Sequence, residues 1–179
     1  AGDKAFCYGA DLGRFIPLMS RARPPEDEWD RRLLADGEML GRGLLRTFDV
    51  VKPVIAAING HAIAGGMELA QGTDLRVASE SAKLGVQEVK WAIFPGGGST
   101  VRLPRQIPYA RAMELLLTGD LITAAEALEL GFLNRVVPQA DVLPTALDLA
   151  ERIAANGPIA VQAIRRSARA GRGSSSSRF

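Results

Sequence analysis

The sequence predicts an α/β fold with parallel strands, and three stretches carry that expectation. Val54 to Ile58 is a continuous apolar run, the pattern of a strand buried on both faces. Asn59-Gly60 then turns the chain, and Gly65-Gly66 opens a short helix through Met67, Leu69 and Ala70. Leu75 to Ala78 reads as the next strand. Strand, helix and strand in that order form the crossover unit of a parallel sheet.

The other elements follow from periodicity and punctuation. Residues 1–13 read as a strand end running into a Gly-containing loop. Residues 14–28, with Pro17, Pro24 and Pro25, read as an excursion loop. From Glu26 to Phe48, Trp29, Leu33, Leu40, Leu44 and Phe48 share one helical face, which Gly37, Gly41 and Gly43 weaken. Pro95 and the three glycines after it lead into a helical segment ending near Pro104. A helix over Tyr109–Leu117 stops at Gly119. Thr123-Ala124-Ala125-Glu126 is a capping box before a helix that ends at Gly131. Phe132 to Val137 is a strand, and Val142–Ala155 and Ile159–Ala170 are amphipathic helices. The expected organisation is a core over 1–138, a helical segment over 139–170 and a disordered Gly/Ser tail over 171–179.

Composition narrows the function classes. A chain of 179 residues that is 47% hydrophobic supports one domain with a real core. It contains no uninterrupted apolar run long enough to span a bilayer, and its first residues lack the basic start and apolar stretch of a signal peptide. Cys7 is the single cysteine, so no intrachain disulfide forms and the expected location is the cytoplasm. The net charge of +2 hides an asymmetry: five arginines and no acid lie in 157–179, leaving 17 basic against 20 acidic side chains before them. No basic stripe with interleaved aromatics is present, so nucleic acid is not an expected partner. Metal-spaced His/Cys clusters are absent, and no metal is expected.

Glu68 and Glu88 stand in segments with no evident structural need for a carboxylate. A glycine-rich turn at a helix N-terminus can present N–H groups to developing negative charge, and two carboxylates beside it suffice for proton transfer on a substrate carbonyl. Plainer roles compete. Glu68 would also suit the first turn of a helix dipole, and Glu88 would pair with Lys83 or Lys90. Gly65 would serve helix–strand packing as well as close substrate approach. Cys7 and His61, each alone of its kind, suggest a thiol hydrolase, but no third orienting group is identifiable. A G-x-S-x-G elbow and a Walker loop are absent, since Gly96-Gly97-Gly98 lacks the following Lys-Ser/Thr.

Five ordered stretches resemble the crotonase family, the enoyl-CoA hydratase/isomerase superfamily: FCYGADL (6–12), KPVIAAINGHAIAGGMELA (52–70), DLRVA (74–78), FPGGGSTVRLPR (94–105) and LLTGDLITAAEALELGFLNRVVP (116–138). The resemblance covers nearly all of residues 2–170. It implies an α/β ClpP/crotonase fold of stacked ββα units in two roughly perpendicular sheets, followed by trimerisation helices. It further implies an acyl-CoA thioester substrate, no cofactor beyond the CoA of that substrate, and a homotrimer or dimer of trimers.

Position by position, the resemblance assigns the oxyanion-hole N–H groups to Ala10 and Gly65. It places Asp11, Leu12 and Gly13 along the thioester end of the substrate, Asp11 fixing the loop through backbone hydrogen bonds. Glu68 and Glu88 become the catalytic pair, and retention of both favours an enoyl-CoA hydratase. Within the family, an isomerase, dehydratase or decarboxylase would use the same hole. Three departures stand out. Family members begin well before Ala1, so the chain is expected to lack N-terminal strands and to be aggregation-prone alone. The last family helix gives way to GRGSSSSRF. The usual Pro-Glu at the second glutamate is Gln87-Glu88. An inactive assembly or CoA-binding fragment is the reading from another class.

Overall fold

The computed structural model describes residue 2 and residues 4–173. Its strands form two sheets. β1 (Ala5–Cys7), β3 (His61–Ile63), β5 (Lys83–Gly85) and β6 (Ile122–Thr123) pair in that order, the first three parallel and β6 antiparallel. β2 (Ile55–Ile58), β4 (Leu75–Ser79) and β7 (Arg135–Val137) form a wholly parallel second sheet. The expected crossover is therefore the β2–β4 pair, in register from Ile55↔Leu75 to Ile58↔Ala78. A strand that periodicity did not reveal, β3, intervenes and joins the other sheet. The turn that carries the chain across is tight: a Cβ on Gly60 would lie 2.6 Å from the Lys4 carbonyl oxygen.

The apolar run at 54–58 is covered on both faces, as expected of such a sequence. Ala56 and Ile58 enter the main core with Met67, Ala70, Leu84, Leu103 and Phe132. Ile55 and Ala57 pack instead on Val77, Val142 and Ala146 beneath α8 (Val142–Ala154). The second sheet thus has α8 on one face and the main core on the other.

Two expectations are corrected. Residues 12–19 form a helix, α1 (Leu12–Met19), where an excursion loop was expected. Asp11 caps it, accepting from the N–H groups of Gly13 and Arg14, and Pro17 is accommodated within it. The single helical face over 26–48 is two helices, α2 (Glu28–Ala35) and α3 (Met39–Gly43). Asp36, at φ −121° and ψ 89°, leaves the helical region between them, and its side chain accepts from the Glu38 N–H.

α4 (Gly65–Gly72), α5 (Ser99–Arg102), α6 (Tyr109–Thr118) and α7 (Ala124–Glu129) fall where the sequence placed them. Gly119 takes φ +67° after α6, and both hydrogen bonds of the Thr123–Glu126 capping box are present. α9 spans Pro158–Gly173, three residues beyond the expected end at 170, and residues 174–179 of the expected tail lie outside the described residues. Part of the terminal arginine excess is structural. Arg165, 8% exposed, pairs with Asp74 at 2.7 Å and Asp49 at 3.0 Å, and Arg169 meets Asp74 at 3.1 Å. Among the described residues, no helix is long and apolar enough to cross a membrane.

Candidate active site

Three glycines allow the loop after β1 to meet the start of α4. Gly66 lies directly on β1, where a Cβ would stand 2.0 Å from the Cys7 carbonyl oxygen. Gly9, at φ +86°, touches the same helix start: its Cβ would fall 2.8 Å from the Gly65 nitrogen. Ala10 follows Gly9, so the two predicted backbone donors belong to neighbouring segments that are 55 positions apart in the chain. Neither the Ala10 nor the Gly65 N–H has a backbone acceptor among the described residues.

The residue that aims Gly65 is Ala64. It holds φ 53° and ψ −124°, a conformation that an alanine adopts only under strain, and its N–H is anchored on the Gly85 carbonyl at 2.9 Å. Sequence reasoning missed it. An alanine before Gly-Gly gives no warning of positive φ.

Glu68 is one turn into α4, 4% exposed, with its N–H on the Ala64 carbonyl. Its Oε1 accepts from the Ser99 N–H at 3.3 Å, at the start of α5. Gly97 lies flush against the same carboxylate, since a Cβ there would be 2.2 Å from Glu68 Oε2. Burial pushes the Glu68 carboxyl above the usual range, while Ser99, the Gly97 N–H and the Arg102 guanidinium draw it back.

Glu88 opens a 3-10 turn over Glu88–Trp91 that closes on Ala92 in the left-handed region, at φ 54° and ψ 33°. Its Oε2 is buried without a hydrogen-bond partner. Burial, reinforced by the charge of Glu68, pushes its pKa up to about 7. Lys90, a candidate partner for Glu88 in the sequence, pairs with Asp120 instead at 3.0 Å. The fold thus brings two carboxyls, twenty residues apart, close enough to oppose each other's ionisation. Glu68 has N–H and cationic partners for its charge. Glu88 has none comparable.

The other predicted residues separate by role. Asp11 is occupied as the cap of α1, of which Leu12 and Gly13 form the exposed first turn. Cys7 Sγ accepts from the Gly9 N–H at 3.3 Å, and His61 Nδ1 accepts from the Lys83 N–H at 3.0 Å. No hydrogen bond joins the two, so they form no nucleophile–base pair. A cavity of about 710 Å³ lies away from both glutamates, between the end of α4 and α9, with Arg102, Arg165 and Arg169 among its walls.

The chain is 51% identical over 164 residues to the enoyl-CoA hydratase EchA19 of Mycobacterium tuberculosis, covering 92% of this chain and 59% of that protein. It is 42% identical over 168 residues to the (E)-benzylidenesuccinyl-CoA hydratase of Thauera aromatica, covering 94% and 61%. The crystal structure of enoyl-CoA hydratase EchA1 from Mycobacterium marinum superposes with a TM-score of 0.80 at 42% identity, over 98% of this chain and 64% of that one. The chain therefore spans about three-fifths of the length of the relatives it matches. The sequence model of the enoyl-CoA hydratase/isomerase family matches residues 1–176, and with these relatives it shows that the chain belongs to that family, with the crotonase fold.

Proposed function

We propose that this chain carries the chemistry of an enoyl-CoA hydratase, adding water across the 2,3-double bond of a trans-2-enoyl-CoA. The observation that carries the reading is the pair Glu68 and Glu88: a buried carboxyl and a half-buried one that repel each other in unequal environments. In such a pair one group is ionised and the other retains its proton near neutral pH. Glu68, with N–H donors on its carboxylate, takes the ionised role and withdraws a proton from water. The water oxygen bonds to C3, and the double-bond electrons move onto the thioester carbonyl as an enolate. The N–H groups of Ala10 and Gly65 receive that charge, and Glu88 delivers its proton to C2. The water's proton remains on Glu68, so atoms and charge balance.

The same groups run the reverse dehydration. Asp11, Leu12 and Gly13 would line the thioester end, Asp11 acting through the loop it caps. The reading requires no metal and no cofactor beyond the substrate's own CoA. It places the protein in the cytoplasm. Leu143, Leu147, Ile159 and Ile164 are each more than half exposed on α8 and α9, which supports a homotrimer or dimer of trimers as the whole protein's assembly.

Steady-state hydration of crotonyl-CoA tests the reading. Glu68→Gln and Glu88→Gln are each expected to lower kcat by about 10²-fold or more, with KM nearly unchanged. Near wild-type turnover in either variant overturns the assignment.

A further inference from the structure

Behind Glu68 lies a buried polar arrangement. Ser99 is completely buried and Gln71 is 2% exposed. Gln71 stands three residues after Glu68 on α4, so both side chains flank the same side of the helix and meet the first residue of α5. Gln71 Nε2 donates to Ser99 Oγ at 2.9 Å. The Glu68 carboxylate in turn accepts from the Ser99 backbone N–H at 3.3 Å, so one buried residue joins the two side chains.

The Gln71 amide thus pins the Ser99 side chain while the N–H of the same serine holds Glu68. Gln106 Nε2 anchors the main chain behind Gln71, donating to its backbone carbonyl at 2.9 Å, and the Gln71 Oε1 is buried without a partner.

We propose that Ser99 and Gln71 are positioning residues for Glu68, a two-step relay in which the Gln71 amide pins the Ser99 side chain and so keeps the Ser99 N–H aimed at the Glu68 carboxylate. The inference rests on reading Glu68 as the group that activates water.

The charged and titratable groups around Glu68 do not duplicate the relay. On α5, Arg102 favours the ionised form but spends its guanidinium on the carbonyls of Leu44, Leu45 and Glu68. From the 3-10 turn, Glu88 opposes the charge. β1 brings the Cys7 thiol, already accepting from Gly9, and β3 brings His61, already accepting from Lys83. Ser99 is thus a neutral partner, and removing its hydroxyl leaves every charge in place.

Three variants of the full chain test this: Ser99→Ala, Gln71→Leu and the double variant. Each is followed by the pH dependence of crotonyl-CoA hydration and by carbon-13 titration of the Glu68 side-chain carboxyl. Ser99→Ala is expected to move the acid limb of kcat upward by about one pH unit, with a fall in kcat of about tenfold near neutral pH and KM unchanged. Gln71→Leu shifts the limb in the same direction and by less. The double variant goes no further than Ser99→Ala, because both changes remove the same hydrogen bond. Ser99→Thr, which keeps the hydroxyl, holds the wild-type limb.

An unmoved limb and an unmoved Glu68 titration in Ser99→Ala overturn the proposal, as does strict additivity in the double variant. Should the wild type not hydrate crotonyl-CoA, the hydration reading fails alone. The relay is then decided by the carbon-13 titration, which moves upward in Ser99→Ala if the relay exists and stays put if it does not.

Discussion

Glu88 makes the fold less stable wherever it is ionised, and Glu88→Gln should show this as a pH-dependent gain. The side chain carries one buried oxygen with no partner, and its pKa rises from the ordinary 4.5 to about 7. A carboxyl that is weaker in the fold than in the unfolded chain imposes no penalty below about 4.5, where both states hold the proton. The penalty then grows with pH and is complete above about 7. At about 1.4 kcal/mol per pH unit the rise corresponds to at most about 3 kcal/mol, which solvent screening of a half-buried side chain reduces to about 1.5 kcal/mol. Urea denaturation near pH 5 and near pH 8.5 measures it. At the lower pH the variant should gain less than about 0.5 kcal/mol, and at the higher pH about 1.5 kcal/mol, or roughly 3–6 °C in Tm for a chain of this size. The same substitution should nearly abolish hydration, so stability and turnover move in opposite directions. A variant no more stable at pH 8.5 than at pH 5, relative to wild type, refutes the account of Glu88 as a penalised charge.

Two further outcomes follow from backbone geometry. Gly97→Ala introduces a Cβ 2.2 Å from Glu68 Oε2 and 2.5 Å from Leu44 Cδ1, so the carboxylate must shift; kcat should fall by about 10²-fold, and unchanged turnover would show that the position of Glu68 is not critical. Ala92→Gly relieves a left-handed alanine at φ 54° and ψ 33°; urea titration should show a gain of about 0.5–1 kcal/mol, and a loss would contradict the strain argument.

Much of this architecture was legible in the residues because local chemistry fixed it. Val54–Ile58 announced a doubly covered strand, Gly65-Gly66 a helix start, and Thr123 with Glu126 a capped helix, and each is present. The short strands β3, β5 and β6 were not legible. Runs of two or three residues show no alternation, and only pairing with distant segments defines them. Pro17 obscured α1, since a proline read as a breaker outweighed the Asp11 cap just ahead of it.

At the site, Glu68 and Glu88 stood out as carboxylates without a local purpose, and the ordered motifs gave them roles. Their mutual repulsion follows from those roles, but the burial that sets its size was not readable. It depends on β4 and β5 returning the chain beside α4, a tertiary event. The same is true of Ser99 and Gln71, two ordinary polar residues 28 positions apart that acquire meaning only when α4 and α5 pack together.

The contact between Gly9 and Gly65 is backbone against backbone, without a side chain on either side. Spacing between the proposed polarising N–H groups is therefore indifferent to what the neighbouring positions encode. A lineage descending from this sequence can exchange the exposed side chain of Leu12 and inherit the proposed pair of N–H groups intact. Gly9 has no such freedom, because any other residue there thrusts a carbon toward the Gly65 nitrogen. Variation and permanence are thereby assigned to different atoms of the same short loop.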